Sequence, residues 1–229
     1  MVVQFVANGE TIQSQKRLFI LKLLRMNIAI IGSGNVGGAL AQQWIKAGHT
    51  VLVGAKLPMS EKNLKLATKI GEDRFSSIEQ AVKQSEVILI ATPPTAIFDI
   101  IDQMGEISRK IIIDATNAVM KKPEPYSTVY HCLAEKTSAD IVKCFNSTGF
   151  ENMLNPVYDG QGIDMFMAGD SEKAKDVARS LALDSGFGSC IDFGKSDKVV
   201  LLEQFALSWI NLAILQGHGR DMAFKVVRR

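Results

Sequence analysis

The sequence of 229 residues has little of what several classes of protein require. Its three cysteines, Cys132, Cys144 and Cys190, stand far apart and without the spacing of metal ligands. No zinc cluster is expected from them, and free thiols in a reducing, cytoplasmic compartment are. Neither sign of charge prevails, since 26 Lys and Arg face 24 Asp and Glu, which argues against a nucleic-acid surface and for a small-molecule partner. No internal repeat or low-complexity linker divides the chain, and its length suits one domain with a substantial core. The first residues do not make a secretory signal. Their apolar stretch is interrupted by Lys22 and closed by Arg25, no small-residue cleavage site precedes Met26, and the stretch is too short to span a membrane, so no membrane insertion is expected. Residues 1–25 read as an N-terminal extension, either a disordered leader or a stretch ahead of a true start at Met26, or else a membrane-surface or partner-binding arm.

From Met26 onward, apolar runs of strand length alternate with segments of helical period. That pattern belongs to an α/β fold, a single Rossmann-type, mostly parallel sheet over residues 26–229 with C-terminal helices. Strands are expected at Asn27–Ile31, Thr50–Gly54, Arg74–Ser76, Glu86–Ala91, Lys110–Ala115, Asp140–Phe145, Met165–Ala168 and Ser189–Asp192. Helices are expected after the first glycines, over Ser60–Ile70, Ile78–Gln84, Thr95–Met104, Tyr130–Lys136, Ser171–Leu183, Lys198–Gln216 and, after a Gly217-His218-Gly219 break, Arg220–Val227.

The first strand runs into Gly32-Ser33-Gly34-Asn35-Val36-Gly37, which opens an amphipathic helix. A G-x-G-x-x-G pattern is weak alone, but at the first βα turn each glycine has a task. Gly32 permits the tight turn, Gly34 lets the backbone approach a pyrophosphate, and Gly37 or Gly38 allows close packing of helix on strand. The free N–H groups of the helix N-terminus then face an anion. Sites for NAD place a carboxylate at the end of the second strand, to accept the ribose hydroxyls, and this chain has Gly54-Ala55-Lys56 there. A carboxylate would repel the extra phosphate of NADP, whereas Lys56 neutralises it, with Ser60 and Lys62 in reach, so NADP is the expected cofactor.

These motifs, together with Ile90-Ala91-Thr92-Pro93-Pro94, Ile113-Asp114-Ala115-Thr116-Asn117, Val142-Lys143-Cys144-Phe145-Asn146-Ser147 and the ending Asn211 to Lys225, resemble the NADPH-dependent oxidoreductases that act on the deazaflavin coenzyme F-420. The reductase domains of membrane metalloreductases are similar. The resemblance implies that Ser33, Gly34, Asn35 and Val36 hold the pyrophosphate, Ala55 and Lys56 the NADP phosphate, and Thr92 and Pro93 the nicotinamide side. It also implies coenzyme F-420 or FMN as co-substrate. Two positions depart from the family: Ala55 stands for a serine and Lys56 for an arginine whose planar fork grips phosphate bidentately, which predicts weaker selectivity for NADP.

Ligands of open α/β sheets sit beyond the carboxyl ends of the strands, where the sequence places Thr92, Thr95, Asn117, Asn146 and Ser147. Hydride transfer between two ring cofactors needs positioning rather than a protein acid or base, so no catalytic residue is assigned. His49 after a helix end and His131 beside Cys132 read as structural, Lys198 as a surface residue, and His218 as a candidate for the edge of a substrate pocket. Pyrroline-carboxylate reductases and hydroxyacid dehydrogenases begin alike but need a large helical second domain, and too little chain follows Asp192 to build one. The breadth of apolar surface around Trp209, Ile210, Leu212 and Ile214 predicts a homodimer. A non-catalytic NADP sensor and a small carbonyl or imine reductase are the alternatives.

Overall fold

The computed structural model describes residues 25–229, apart from Met59 and the side chain of Lys62. All of the N-terminal extension but Arg25 lies outside the described residues. The chain runs through β1 (Asn27–Ile31), α1 (Asn35–Lys46), β2 (Thr50–Gly54), α2 (Glu61–Ile70), β3 (Phe75–Ser76), α3 (Ile78–Lys83) and β4 (Val87–Ile90). It continues with α4 (Ile97–Met104), β5 (Ile111–Asp114), α5 (Val129–Lys136), β6 (Asp140–Cys144), α6 (Phe150–Leu154), β7 (Val157–Tyr158) and β8 (Gln161–Gly162). It ends with β9 (Asp164–Ala168), α7 (Glu172–Asp184), β10 (Ser189–Asp192) and α8 (Val199–Ile210), the last prolonged by one wider π turn, Asn211–Leu215.

Eight strands form one sheet in the order β10-β9-β6-β5-β4-β1-β2-β3. All neighbours are parallel except β6 and β9, which pair antiparallel through Lys143 with Ala168 and Cys144 with Met167. Central strands are buried on both faces, which is why they read as unbroken apolar runs. Alternate residues divide the core in two. Ile28, Ile30, Val51, Val53, Leu89 and Ile113 pack with Leu40 and Trp44 of α1 and Ala178 and Leu181 of α7, while Ala29, Ile31, Ile88, Ile90 and Ile112 meet α3, α4, α5 and α8 on the other face. The arrangement is doubly wound, and the strand order reverses between β1 and β4, where such folds open a crevice.

The C-terminal stretch departs from expectation. Residues 220–227 form no helix; their backbone groups are instead bound to other parts of the fold. Met222 O accepts hydrogen bonds from Asn152 Nδ2 and Trp209 Nε1, Val226 N–H donates to Asp164, and Phe224 stacks on Phe205 with ring centres 4.6 Å apart. With φ of +74° and +87°, Gly217 and Gly219 release the chain from the preceding helix. The short α6 and the β7–β8 hairpin are elements that the apolar pattern did not announce.

By length and composition the stretch Ser196–Leu215 could cross a membrane. Here it is docked on the sheet through Val199, Leu202, Glu203, Ala206 and Trp209.

Candidate functional site

The glycine turn sits where the strand order reverses, and its geometry explains each glycine. Gly32 has φ +118°, and a Cβ there would lie 2.3 Å from Ala91 O, so the turn runs hard against the end of β4. A Cβ on Gly37 would lie 2.0 Å from Gly32 O, so only glycine lets α1 close on the turn, while Gly38 faces Leu66 of α2. A Cβ on Gly34 would meet nothing within 4 Å. Open space lies there, at the N-cap of α1, and no side chain caps that helix end. Its first N–H groups are therefore available to an anion that the absence of a Cβ lets come close.

Two clefts meet at Ser33 and Gly34. The first, of about 570 Å³, is walled by Gly32, Ser33, Gly34, Ala55, Lys56, Leu57 and Ser60 on one side, and by Thr92, Pro93, Ala96, Asp99, Ile100 and Gln103 on the other. The second, of about 670 Å³, runs along α1 past Asn35, Gly38 and Gln42 between α2 and α6. Of the sequence-predicted site residues, Gly32, Ser33, Gly34, Ala55, Lys56, Ser60, Thr92 and Pro93 are thus brought together in one crevice, and Asn35 lines the adjoining groove. Val36 and Gly37 turn into the domain instead, Val36 against the core and Gly37 fully packed. Thr95 is exposed and lines neither cleft.

Asn117 and Asn146 meet each other rather than the glycine turn. Each donates an amide hydrogen bond of 2.9 Å to the other residue, which leaves Asn146 Oδ1 buried without a partner. Thr92 Oγ1 is likewise buried and unpartnered at the wall of the first cleft. Buried polar atoms without partners are uncommon, and a polar ligand would satisfy them. An open glycine at an uncapped helix end, a cleft continuing to Lys56, and an orphaned hydroxyl on its wall fit a dinucleotide.

Three features escaped the sequence. Asn63 is buried on the apolar face of α2, where it receives the Ser33 hydroxyl hydrogen bond and donates to Leu57 O at 2.9 Å and Pro58 O at 3.0 Å. It ties the glycine turn to the loop that carries Lys56. Asp99 reaches across the first cleft, its Oδ2 3.1 Å from Lys56 Nζ. Beneath the strand ends lies a fully buried ionic cluster: Lys143 Nζ stands 2.9 Å from Asp114 and 2.5 Å from Glu203 Oε1, and also donates to Thr116 O. Glu203 Oε2 accepts the Ala118 N–H and Asp114 Oδ1 the Thr116 N–H, so the cluster fixes the backbone on both sides of Asn117. Burial pushes the Glu203 carboxyl above its ordinary range against the pull of Lys143. A signal for Asn63 and for this cluster was present, a polar residue in register with a buried apolar stripe: Asn63 with Leu66, Ala67 and Ile70, and Glu203 with Val199, Leu202 and Ala206.

The histidines and cysteines fall elsewhere. His49 joins the start of β2 to α7, accepting the Met26 N–H at 3.1 Å and meeting Asp184 at 3.2 Å. His131 bonds Thr128, the N-cap of α5, and burial holds its imidazole below the usual range. His218 is exposed and lines neither cleft. Cys144 and Cys190, far apart in sequence, come within 3.9 Å as free buried thiols.

Known proteins share this organisation. Residues 27–118, which carry most of the crevice walls, match the family model of NADP oxidoreductases described as coenzyme F420-dependent. The chain is 24% identical to Metalloreductase STEAP3 of Rattus norvegicus over 70% of its own length and 32% of that protein's. It is 25% identical to human Pyrroline-5-carboxylate reductase 2 over 73% of its own length and 50% of that protein's. It therefore spans about a third to a half of the curated relatives it matches. Among solved structures, a candidate F420-dependent NADP-reductase from Arthrobacter sp. FB24 superposes with a TM-score of 0.78 at 21% identity, covering 89% of this chain and all (100%) of that one. A reductive aminase from Aspergillus terreus, in complex with NADPH, superposes at 0.63 and 19% identity, over 85% of this chain and 64% of that one. At such identities the structural likeness is one of fold.

Proposed function

We propose that this chain is an NADP(H)-dependent oxidoreductase that passes hydride between the nicotinamide cofactor and a flavin or deazaflavin acceptor of the coenzyme F-420 type. The observation that carries the cofactor is the single crevice joining the uncapped end of α1 to Lys56, with no carboxylate at the end of β2. Bound there, the cofactor supplies the hydride. The first N–H groups of α1 hold its pyrophosphate, and the Ser33 hydroxyl, donating to Asn63, fixes the turn that presents them. Lys56 offers a cation to the ribose phosphate, and Ser60, whose hydroxyl does not cap α2, stands beside it.

Beyond the strand ends, Thr92, Asn117 and Asn146 supply polar groups toward the ring end of the cofactor, and the buried cluster keeps the Asn117 loop in one place. The assignment of a ring acceptor is supported by the match of residues 27–118 to the coenzyme F420-dependent family model and by the fold shared with a candidate F420-dependent NADP-reductase. We further propose that the protein works in the cytoplasm, where its three thiols stay free, and that a second copy covers exposed apolar side chains of the C-terminal helix such as Leu201, Ile214 and Leu215.

The test is anaerobic oxidation of NADPH by the purified protein, with the deazaflavin coenzyme, FMN and a cyclic imine as parallel acceptors and NADH as the control donor. Turnover with the deazaflavin supports the reading. Turnover with the imine alone replaces it by an imine reductase, and tight NADPH binding with no acceptor oxidising it replaces it by a sensor.

A further inference from the structure

The cleft mouth holds a carboxylate that the end of β2 lacks. Asp99 stands in the first turn of α4, on the wall opposite Ala55 and Lys56, and its Oδ2 lies 3.1 Å from Lys56 Nζ. Both side chains are open to solvent, at 65% and 70%, so the pair is neither a packing element nor a strong contributor to stability. Its location gives it another consequence. Among the described residues, the lysine that lines this cleft, Lys56, is already paired with an anion on the facing helix.

On the reading that the crevice binds a nicotinamide dinucleotide, we propose that Asp99 is its specificity-determining residue, competing with the ribose phosphate of NADP for Lys56 and accepting the ribose hydroxyls of NAD. A carboxylate that bonds ribose hydroxyls ordinarily stands at the end of the second strand. Here α4 delivers one to the same place from across the cleft. A phosphate arriving at Lys56 must displace Asp99 or sit beside a like charge, whereas a free hydroxyl finds an acceptor there. The pairing makes the site permissive: Lys56 serves one cofactor and Asp99 the other, so neither is strongly excluded.

The experiment is calorimetric titration of the full chain with NADPH and, separately, NADH, for the wild type, Asp99→Asn and Lys56→Gln, at low and high salt. The wild type is expected to bind both, with a preference of about tenfold or less. Asp99→Asn should tighten NADPH by about two- to fivefold, the size of one exposed charge contact, and weaken or leave NADH unchanged. Lys56→Gln should weaken NADPH and spare NADH, and salt should shrink both differences. If the wild type binds NADPH and Asp99→Asn shifts both cofactors equally or neither, the role of Asp99 is overturned while the dinucleotide site stands. If the wild type binds neither, the dinucleotide reading falls and takes this role with it.

Discussion

Two ion pairs in this molecule have nearly the same length and opposite meaning. Lys56 and Asp99 meet at 3.1 Å at the mouth of the cleft, mostly exposed; Lys143 and Asp114 meet at 2.9 Å beneath the strand ends, wholly buried and shared with Glu203. In water the first pair gains little, since solvent screens both charges, and it can be exchanged for a ligand at small cost. The second cannot be exchanged for anything: two carboxylates and one ammonium are out of water together, and removing one leaves the others uncompensated. The exposed pair suits choosing a partner, the buried one holding a loop.

Lys143→Met tests that division most severely. It leaves Asp114 and Glu203 buried without their cation and should lower unfolding stability by about 3–5 kcal/mol in urea titrations. A loss below about 1 kcal/mol would erase the contrast with the exposed pair. Next in size is a pair of glycine substitutions. Gly37→Ala forces a Cβ against Gly32 O and should cost about 1–3 kcal/mol of stability, with NADPH binding falling alongside. Gly34→Ala, with nothing near its Cβ, should leave the melting temperature almost unchanged and still abolish binding. Equal stability losses for the two would contradict the assignment of Gly34 to ligand approach.

A smaller effect separates the two regions by pH. Because burial raises the Glu203 carboxyl above its ordinary value of 4.5, the native state binds more protons than the unfolded chain between that value and its native one. Its contribution to stability therefore declines as pH rises through that window. Urea midpoints of the wild type measured against Glu203→Gln should show that falling difference, and a difference that grows with pH would refute it. Smallest is Lys56→Met, which should change stability by less than about 1 kcal/mol while weakening NADPH binding measurably.

How far the sequence could be read depends on the same physics. Strands β1, β2, β4 and β5 were legible because burial makes each largely a run of apolar residues, and the glycine turn because Gly32 and Gly37 leave no room for a Cβ. The short α6 and the β7–β8 hairpin carry too few residues for a period to show. The tail after Gly219 has helical composition, yet its backbone groups and Lys225 bond to Asp164 and Gly162 and to the side chains of Asn152 and Trp209, partners far away in the chain. Ser33, Lys56 and Thr92 were assigned from order along the chain and do share a crevice, but Asp99 was invisible as a site residue. Its neighbour Lys56 is 43 positions earlier, and nothing in a helix of ordinary composition marks the side chain that will face across a gap.

Asn63 has a consequence for how tightly anything binds in that crevice. By joining Ser33 to the carbonyls of Leu57 and Pro58, it immobilises the glycine turn and the loop after β2 when the chain folds, before any ligand arrives. The entropy of ordering two loops is then lost once, in folding, and need not be lost again at each encounter. Without that amide a dinucleotide would have to recruit two wandering segments, and its residence time would shorten though no contact to it had been removed.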